Sequence, residues 1–238
     1  AFGISLLSVT GALGVGFVLF ALPLADTSEL APEQHKLLLS EMAILHAGLG
    51  QTRQAAAMRE RAFALWPEPG TALALAQAQL ADGQRQAAQR TLAAWPAKDW
   101  PAGLASEHLD LSSQIKARDK NFAEARAMLS QAQATAPSAE RQYRLALLDI
   151  ELGQTQAALE SLDSLMRSQP KAAYREGAAL ALYNGGQFAP AAALYGQALK
   201  DEPQRVDLRR AQAYSLMRDG QNDAAAAAFR QAIDAARA

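Results

Sequence analysis

One register of small residues recurs six times along this chain and limits what it can fold into. Turn glycines stand at Gly50, Gly83, Gly153, Gly186 and Gly220, with Lys120 filling the one gap, so successive anchors are 33, 37, 33, 33 and 34 residues apart. Seven residues before each anchor comes a small side chain: Ala43, Ala76, Ser113, Ala146, Ala179 and Ala213. Five residues after it comes alanine every time: Ala55, Ala88, Ala125, Ala158, Ala191 and Ala225. Twelve after the anchor lie Ala62, Ala132, Ala198 and Ala232, and seventeen after it Pro67, Pro137, Pro170 and Pro203.

Each position has a physical use in a pair of antiparallel helices. Small residues on both helices let the axes approach, where larger side chains would push them apart. Glycine accepts the left-handed conformation that stops the first helix, and proline cannot continue the second. Nine residues after the anchor stand Leu92, Leu129, Leu162, Tyr195 and Phe229, which fill the space that the alanines leave; only Arg59 breaks that row. Alanine is the best helix former, and a sequence rich in it and poor in β-branched residues does not supply a sheet. Hydrophobic residues are 50% but aromatics only 6%, so the predicted core is one of close helix approach in an all-α chain.

The register resembles the tetratricopeptide-repeat (TPR) family, whose unit of roughly 34 residues has a small residue at position 8, Gly near 15, Ala at 20 and 27, and Pro at 32. The resemblance runs from about Pro32 to the C-terminus and implies a superhelical solenoid of about six helix-turn-helix repeats, approximately 36–68, 69–105, 106–138, 139–171, 172–205 and 206–238. It departs from the family at Lys120 and at Trp95-Pro96, where repeat 2 ends early and the insertion WPAKDWP follows. The family is a general protein-interaction scaffold, so the likeness implies a fold and a protein partner without naming either a pathway or a client.

Ahead of the repeats, residues 1–25 read AFGISLLSVTGALGVGFVLFALPLA, without a charge and with Ser5, Ser8 and Thr10 as the polar interruptions. About 20 apolar residues cross a hydrocarbon core, so one transmembrane helix or uncleaved signal-anchor is expected here, with membrane lipid around it and residues 26–31 as a linker. A cleaved signal peptide is the competing reading; its apolar region is ordinarily shorter, and Pro23 sits poorly before a cleavage point at Ala25. The absence of an initiating Met and of a basic flank suggests that residues precede Ala1. Asp26, Glu29 and Glu33 follow with no basic residue before Lys36, which leans the repeats toward the periplasmic side of a bacterial inner membrane.

Composition removes several functions. The net charge is −1, with 23 Lys and Arg against 24 Asp and Glu, so the positive excess that phosphate backbones demand is missing. No cysteine is present, which excludes disulfides and a thiolate nucleophile or metal ligand. His35, His46 and His108 lack metal-ligand spacing, and Asp149 and Glu151 lie two apart, so on a helix they diverge. No phosphate loop or nucleophile elbow occurs. The chain is expected to be no enzyme and to use no cofactor.

In TPR folds, positions 2, 5, 9 and 12 of each first helix line the binding groove, and the resemblance carries this onto Leu73, Gln77 and Leu80 in repeat 2 and Asp110 and Gln114 in repeat 3. It adds Tyr143, Leu147 and Ile150 in repeat 4, Glu176, Leu180 and Tyr183 in repeat 5, and Arg210, Tyr214 and Met217 in repeat 6. Three tyrosines in the C-terminal half suit a partner helix or extended peptide; packing against the next repeat is the alternative use. The Lys and Asn residues of a carboxylate clamp are missing, since those places hold residues such as Tyr143, Glu176, Leu180 and Tyr214. Trp95 and Trp100 bracket the insertion, either as a second recognition surface or as plugs for a shortened helix.

These features lead to a non-catalytic adaptor at a bacterial membrane assembly, of the kind that serves cytochrome c maturation or exopolysaccharide synthesis and export. A structural accessory subunit of a larger membrane complex stays open, and an RNA-binding helical repeat is the remote third.

Overall fold

The turn register carries over directly into backbone geometry. In the computed structural model, which describes residues 31–95 and 100–237, the positive φ angles fall at Gly50 (72°), Gly83 (79°), Lys120 (61°), Gly153 (76°), Gly186 (77°) and Gly220 (82°). At each anchor the backbone N–H reaches back three residues and the next N–H reaches back five. Gly50 donates to the Ala47 carbonyl at 3.0 Å and Gln51 to that of His46 at 2.9 Å; the same pair closes the last repeat, from Gly220 to Met217 and from Gln221 to Leu216. This double bond satisfies carbonyls that a helix end would leave orphaned.

Twelve α-helices lie among the described residues, paired as hairpins: α1 (Pro32–Gly48) with α2 (Thr52–Leu65), α3 (Pro69–Ala81) with α4 (Arg85–Ala93), and α5 (Ala102–Arg118) with α6 (Phe122–Thr135). Then come α7 (Ala139–Glu151) with α8 (Thr155–Ser168), α9 (Ala172–Asn184) with α10 (Phe188–Asp201), and α11 (Val206–Arg218) with α12 (Asn222–Arg237). The helices divide into two compact units, one ending at Leu111 and the other beginning at Ser112, with the boundary inside α5.

In the first unit Ala43, Ala55, Ala62, Ala76 and Ala88 are all buried, and Leu39, Leu73, Leu75, Leu80 and Leu92 fill the spaces between them. Arg59 stands where the other repeats have a large apolar residue; it is half-buried and donates to Ser40 Oγ at 3.1 Å, and burial lowers its affinity for a proton. In the second unit the core joins Ala146, Ala158, Ala178, Ala179, Ala191 and Ala198 with Leu162, Leu182, Tyr195 and Leu208. Ser113 takes the small position of its helix and donates to the Ala125 carbonyl of α6 at 2.7 Å, so its buried hydroxyl is satisfied.

The membrane expectation needs correction. Residues 1–25, on which the anchor rested, lie outside the described residues, and among the described residues no helix is long and apolar enough to cross a membrane. The longest first helices, α1 and α5, have 17 residues and carry charges within them, Glu33, Lys36 and Glu41 in α1 and Glu107, Asp110 and Lys116 in α5. The helix-turn-helix repeats are what the structure supports. The preceding transmembrane helix, the surrounding lipid, the inner-membrane location with periplasmic repeats and the membrane-assembly role have no support among the described residues.

Candidate functional site

The second unit presents its first helices α7, α9 and α11 in one repeating register, so a position read on one can be compared on the next. Position 9 is Leu147, Leu180 and Tyr214 in turn. Leu147 is half-buried, whereas Leu180 is 53% exposed and Tyr214 43%. Met217, at position 12 of α11, is 44% exposed. A fold that buries most of its leucines leaves these three large apolar side chains in water, which marks a surface with a use.

The other predicted groove residues divide by what covers them. Leu73, Leu80 and Ile150 are buried in the core. Gln77 is exposed, and Asp110 and Gln114 are half-buried. Tyr143 stacks on Tyr174 of α9 with ring centroids 4.5 Å apart, and its hydroxyl occupies the place of the side chain that Gly177 lacks. Burial, with Glu140 nearby, raises its pKa, so this tyrosine is a neutral packing element between repeats. Tyr183 is half-buried and meets Phe188 edge-on at 5.4 Å. Tyr214 touches Phe229 of its own hairpin at 5.2 Å yet keeps its outer face free.

The charges at this face are organised by Arg205, in the turn before α11. It bonds Glu176 of α9 at 3.2 Å, Glu202 at 2.9 Å and Asp207 at 2.7 Å. The guanidinium holds the Asp207 carboxyl down at about 2, and the three carboxylates push the guanidinium's own pKa up, Asp207 foremost. Glu176 is therefore one of three carboxylates that share a single cation. Arg210, one helical turn before Tyr214, is exposed, which leaves the apolar face with a cation at its edge.

In the first unit the exposed apolar residues at the equivalent positions are Leu37 (62%) and Ile44 (54%) on α1. These are positions 2 and 9 of repeat 1, left out of the predicted set, and the register applied to that repeat finds them. Trp100 is buried at 6% exposure, stacked on His108 at 4.3 Å, and donates through Nε1 to the Trp95 carbonyl at 3.2 Å. Burial lowers the His108 pKa from its ordinary 6.5. Trp95 is half-buried.

Asp149 is buried and paired with Arg126, and His46 Nδ1 lies 2.6 Å from Gln51 Oε1 within its own turn. Among the described residues there is no group of three His, Asp or Glu able to hold a metal ion. A crevice of about 320 Å³ opens between α8, α9 and α10, lined by Leu159, Met166, Pro190 and Leu194, with Arg175 at its edge; Arg175 is already paired with Asp201.

No family model and no curated protein sequence matches the chain. Solved structures do. A tetratricopeptide repeat protein from Parabacteroides merdae is 16% identical, covers 84% of this chain and 80% of its own length, and superposes with a TM-score of 0.62. A thermophilic TPR protein of Thermus thermophilus is 24% identical over 76% of this chain and 99% of its own, with a TM-score of 0.55. MamA from Desulfovibrio magneticus RS-1, residue 41 to its end, is 19% identical over 68% and 92%, at 0.54. Together with the six left-handed turns and the buried alanine register, these similarities show that the fold is that of tetratricopeptide-repeat proteins.

Proposed function

We propose that the chain is a non-catalytic protein-interaction scaffold whose first-helix face on α9 and α11 takes an apolar segment of a partner protein bearing an acidic side chain. The observation that carries this is the exposure of Leu180, Tyr214 and Met217 at register positions whose counterparts elsewhere in the second unit are buried or half-buried. A ring, a thioether and a branched aliphatic chain make an adaptable apolar contact. Exposed Arg210 supplies the charge that favours an acidic neighbour in the partner.

Partner recovery by affinity purification from cells, compared between wild type, Leu180→Glu and Tyr214→Ala, tests the proposal. Both substitutions are expected to reduce recovery of one common partner at least tenfold, while the thermal melt stays within a few degrees of wild type. Arg210→Gln is expected to weaken the same partner and to reduce the salt dependence of its binding. Unchanged recovery in all three variants would reject the face.

A further inference from the structure

Inside the second unit, consecutive repeats meet through one pair of stripes. On the second helix of a hairpin the stripe lies six, nine, ten and thirteen residues after the turn anchor. In α10 these residues are Ala192, Tyr195, Gly196 and Leu199; the first, second and fourth are 4, 6 and 9% exposed, and Gly196 lies against Gln212 of α11. In α6 the same stripe sets Arg126 against Asp149 of α7. The following first helix answers with residues twelve, eight and five before its own anchor. In α11 these are Leu208, Gln212 and Ser215, of which Leu208 is 4% and Ser215 0% exposed.

The last and first described helices each carry one half of that interface without the other. In α12 the outgoing stripe is Ala226, Phe229, Arg230 and Ile233. Ile233 is 51% exposed where its counterpart Leu199 is 9%, and Ala226 is exposed where Ala192 is buried. In α1 the incoming stripe is Leu38, Met42 and Leu45, all large and apolar, and none of them is buried. Beside half-buried Met42 stands Glu41, which is exposed.

We propose that these are the two halves of a contact between copies of this chain, in which α1 of one copy seats on α12 of the next in the register of the internal repeat junctions. In that register Phe229 and Ile233 meet Leu38, Met42 and Leu45. Arg230 stands where α10 has Gly196, opposite Met42, and so comes beside Glu41 with opposite charge. Apolar meets apolar and cation meets anion, which an unrelated partner on either end would not require of the other end. The contact joins different patches on the two copies, so an open chain of copies keeps one free head at one end and one free tail at the other.

The chain contains no cysteine, which makes single-cysteine crosslinking specific. Full-length Ile233→Cys and Leu38→Cys, mixed and oxidised, are expected to give a disulfide-linked heterodimer in preference to either homodimer. By sedimentation equilibrium the mass of wild type is expected to rise with concentration. Ile233→Asp is expected to raise the dissociation constant more than about tenfold, equivalent to about 1.4 kcal/mol. Charge reversal gives a second readout that leaves the apolar packing alone: Glu41→Arg and Arg230→Glu each weaken association, and mixing the two restores opposite charges at both junctions between unlike copies, so assembly returns with the two variants alternating. Preferential self-crosslinking of Ile233→Cys would overturn the proposal in favour of a two-fold contact through α12. Wild type that stays monomeric up to about 100 μM, well above the micromolar range of ordinary specific association, would overturn it outright.

Discussion

Lys120 holds a left-handed backbone with φ of 61° where its five counterparts are glycines. For a residue with a Cβ that conformation costs roughly 1–2 kcal/mol, and the exposed side chain gives little packing in return. Lys120→Gly is expected to stabilise the second unit by about 0.5–1 kcal/mol after the extra chain entropy of glycine is subtracted, read as a higher urea midpoint at unchanged slope. His108 provides a pH-dependent counterpart in the first unit. Its pKa is lowered by burial, so the unfolded chain takes up the proton first. The stability it permits is complete above the ordinary value near 6.5 and falls as pH drops below it toward the lowered folded value. Relative to wild type, His108→Gln should flatten the dependence of the melting temperature between about pH 5 and 7, the region around the ordinary histidine pKa. At this scale the sequence marks backbone demands well, because glycine, alanine and proline are chosen for them. It marks side-chain fate poorly: Trp100 and Tyr143 look alike as surface aromatics, and only the neighbours His108 and Tyr174 decide that both are packed.

At the scale of helices, the repeats are tied at their corners by contacts whose presence depends on single residues. Thr52, at the start of α2, donates to the Asp82 carboxylate at the end of α3 at 2.7 Å, and this bond is the largest influence lowering the Asp82 pKa. Thr155 occupies the same place in α8, but the residue in register with Asp82 is Gly185, and the Thr155 hydroxyl is buried without a partner. Gly185 has an ordinary φ of −78°, and a Cβ there would meet backbone oxygens no closer than 3.4 Å. Gly185→Asp is therefore expected to supply the missing acceptor and stabilise the protein by about 0.5–1.5 kcal/mol. In Thr155→Val, which removes the hydroxyl, the same substitution should lose most of that gain, as a double-mutant cycle in urea would measure. Helix positions were legible because six turns repeat one pattern. The exposed subset of the predicted groove was not: Leu80, Ile150 and Met217 share position 12, yet the first two are buried and the third is open.

For the whole molecule, the repeat architecture follows from an interior built of alanine, which lets helices approach and leaves few large side chains to spend outside it. Those that are exposed therefore carry information. In the second unit, Ile233 of α12 apart, they gather on the first helices, at Leu180, Tyr214 and Met217, with Arg210 beside them. Photo-crosslinking in living cells from Leu180 and Tyr214, with exposed Lys200 on the second helix α10 as the reference position, tests this assignment most directly. Adducts from both first-helix positions that map to one apolar, acid-bearing segment of a common partner, with none from Lys200, are the expected result. Adducts of equal yield from Lys200, or none from Leu180 and Tyr214, would contradict it.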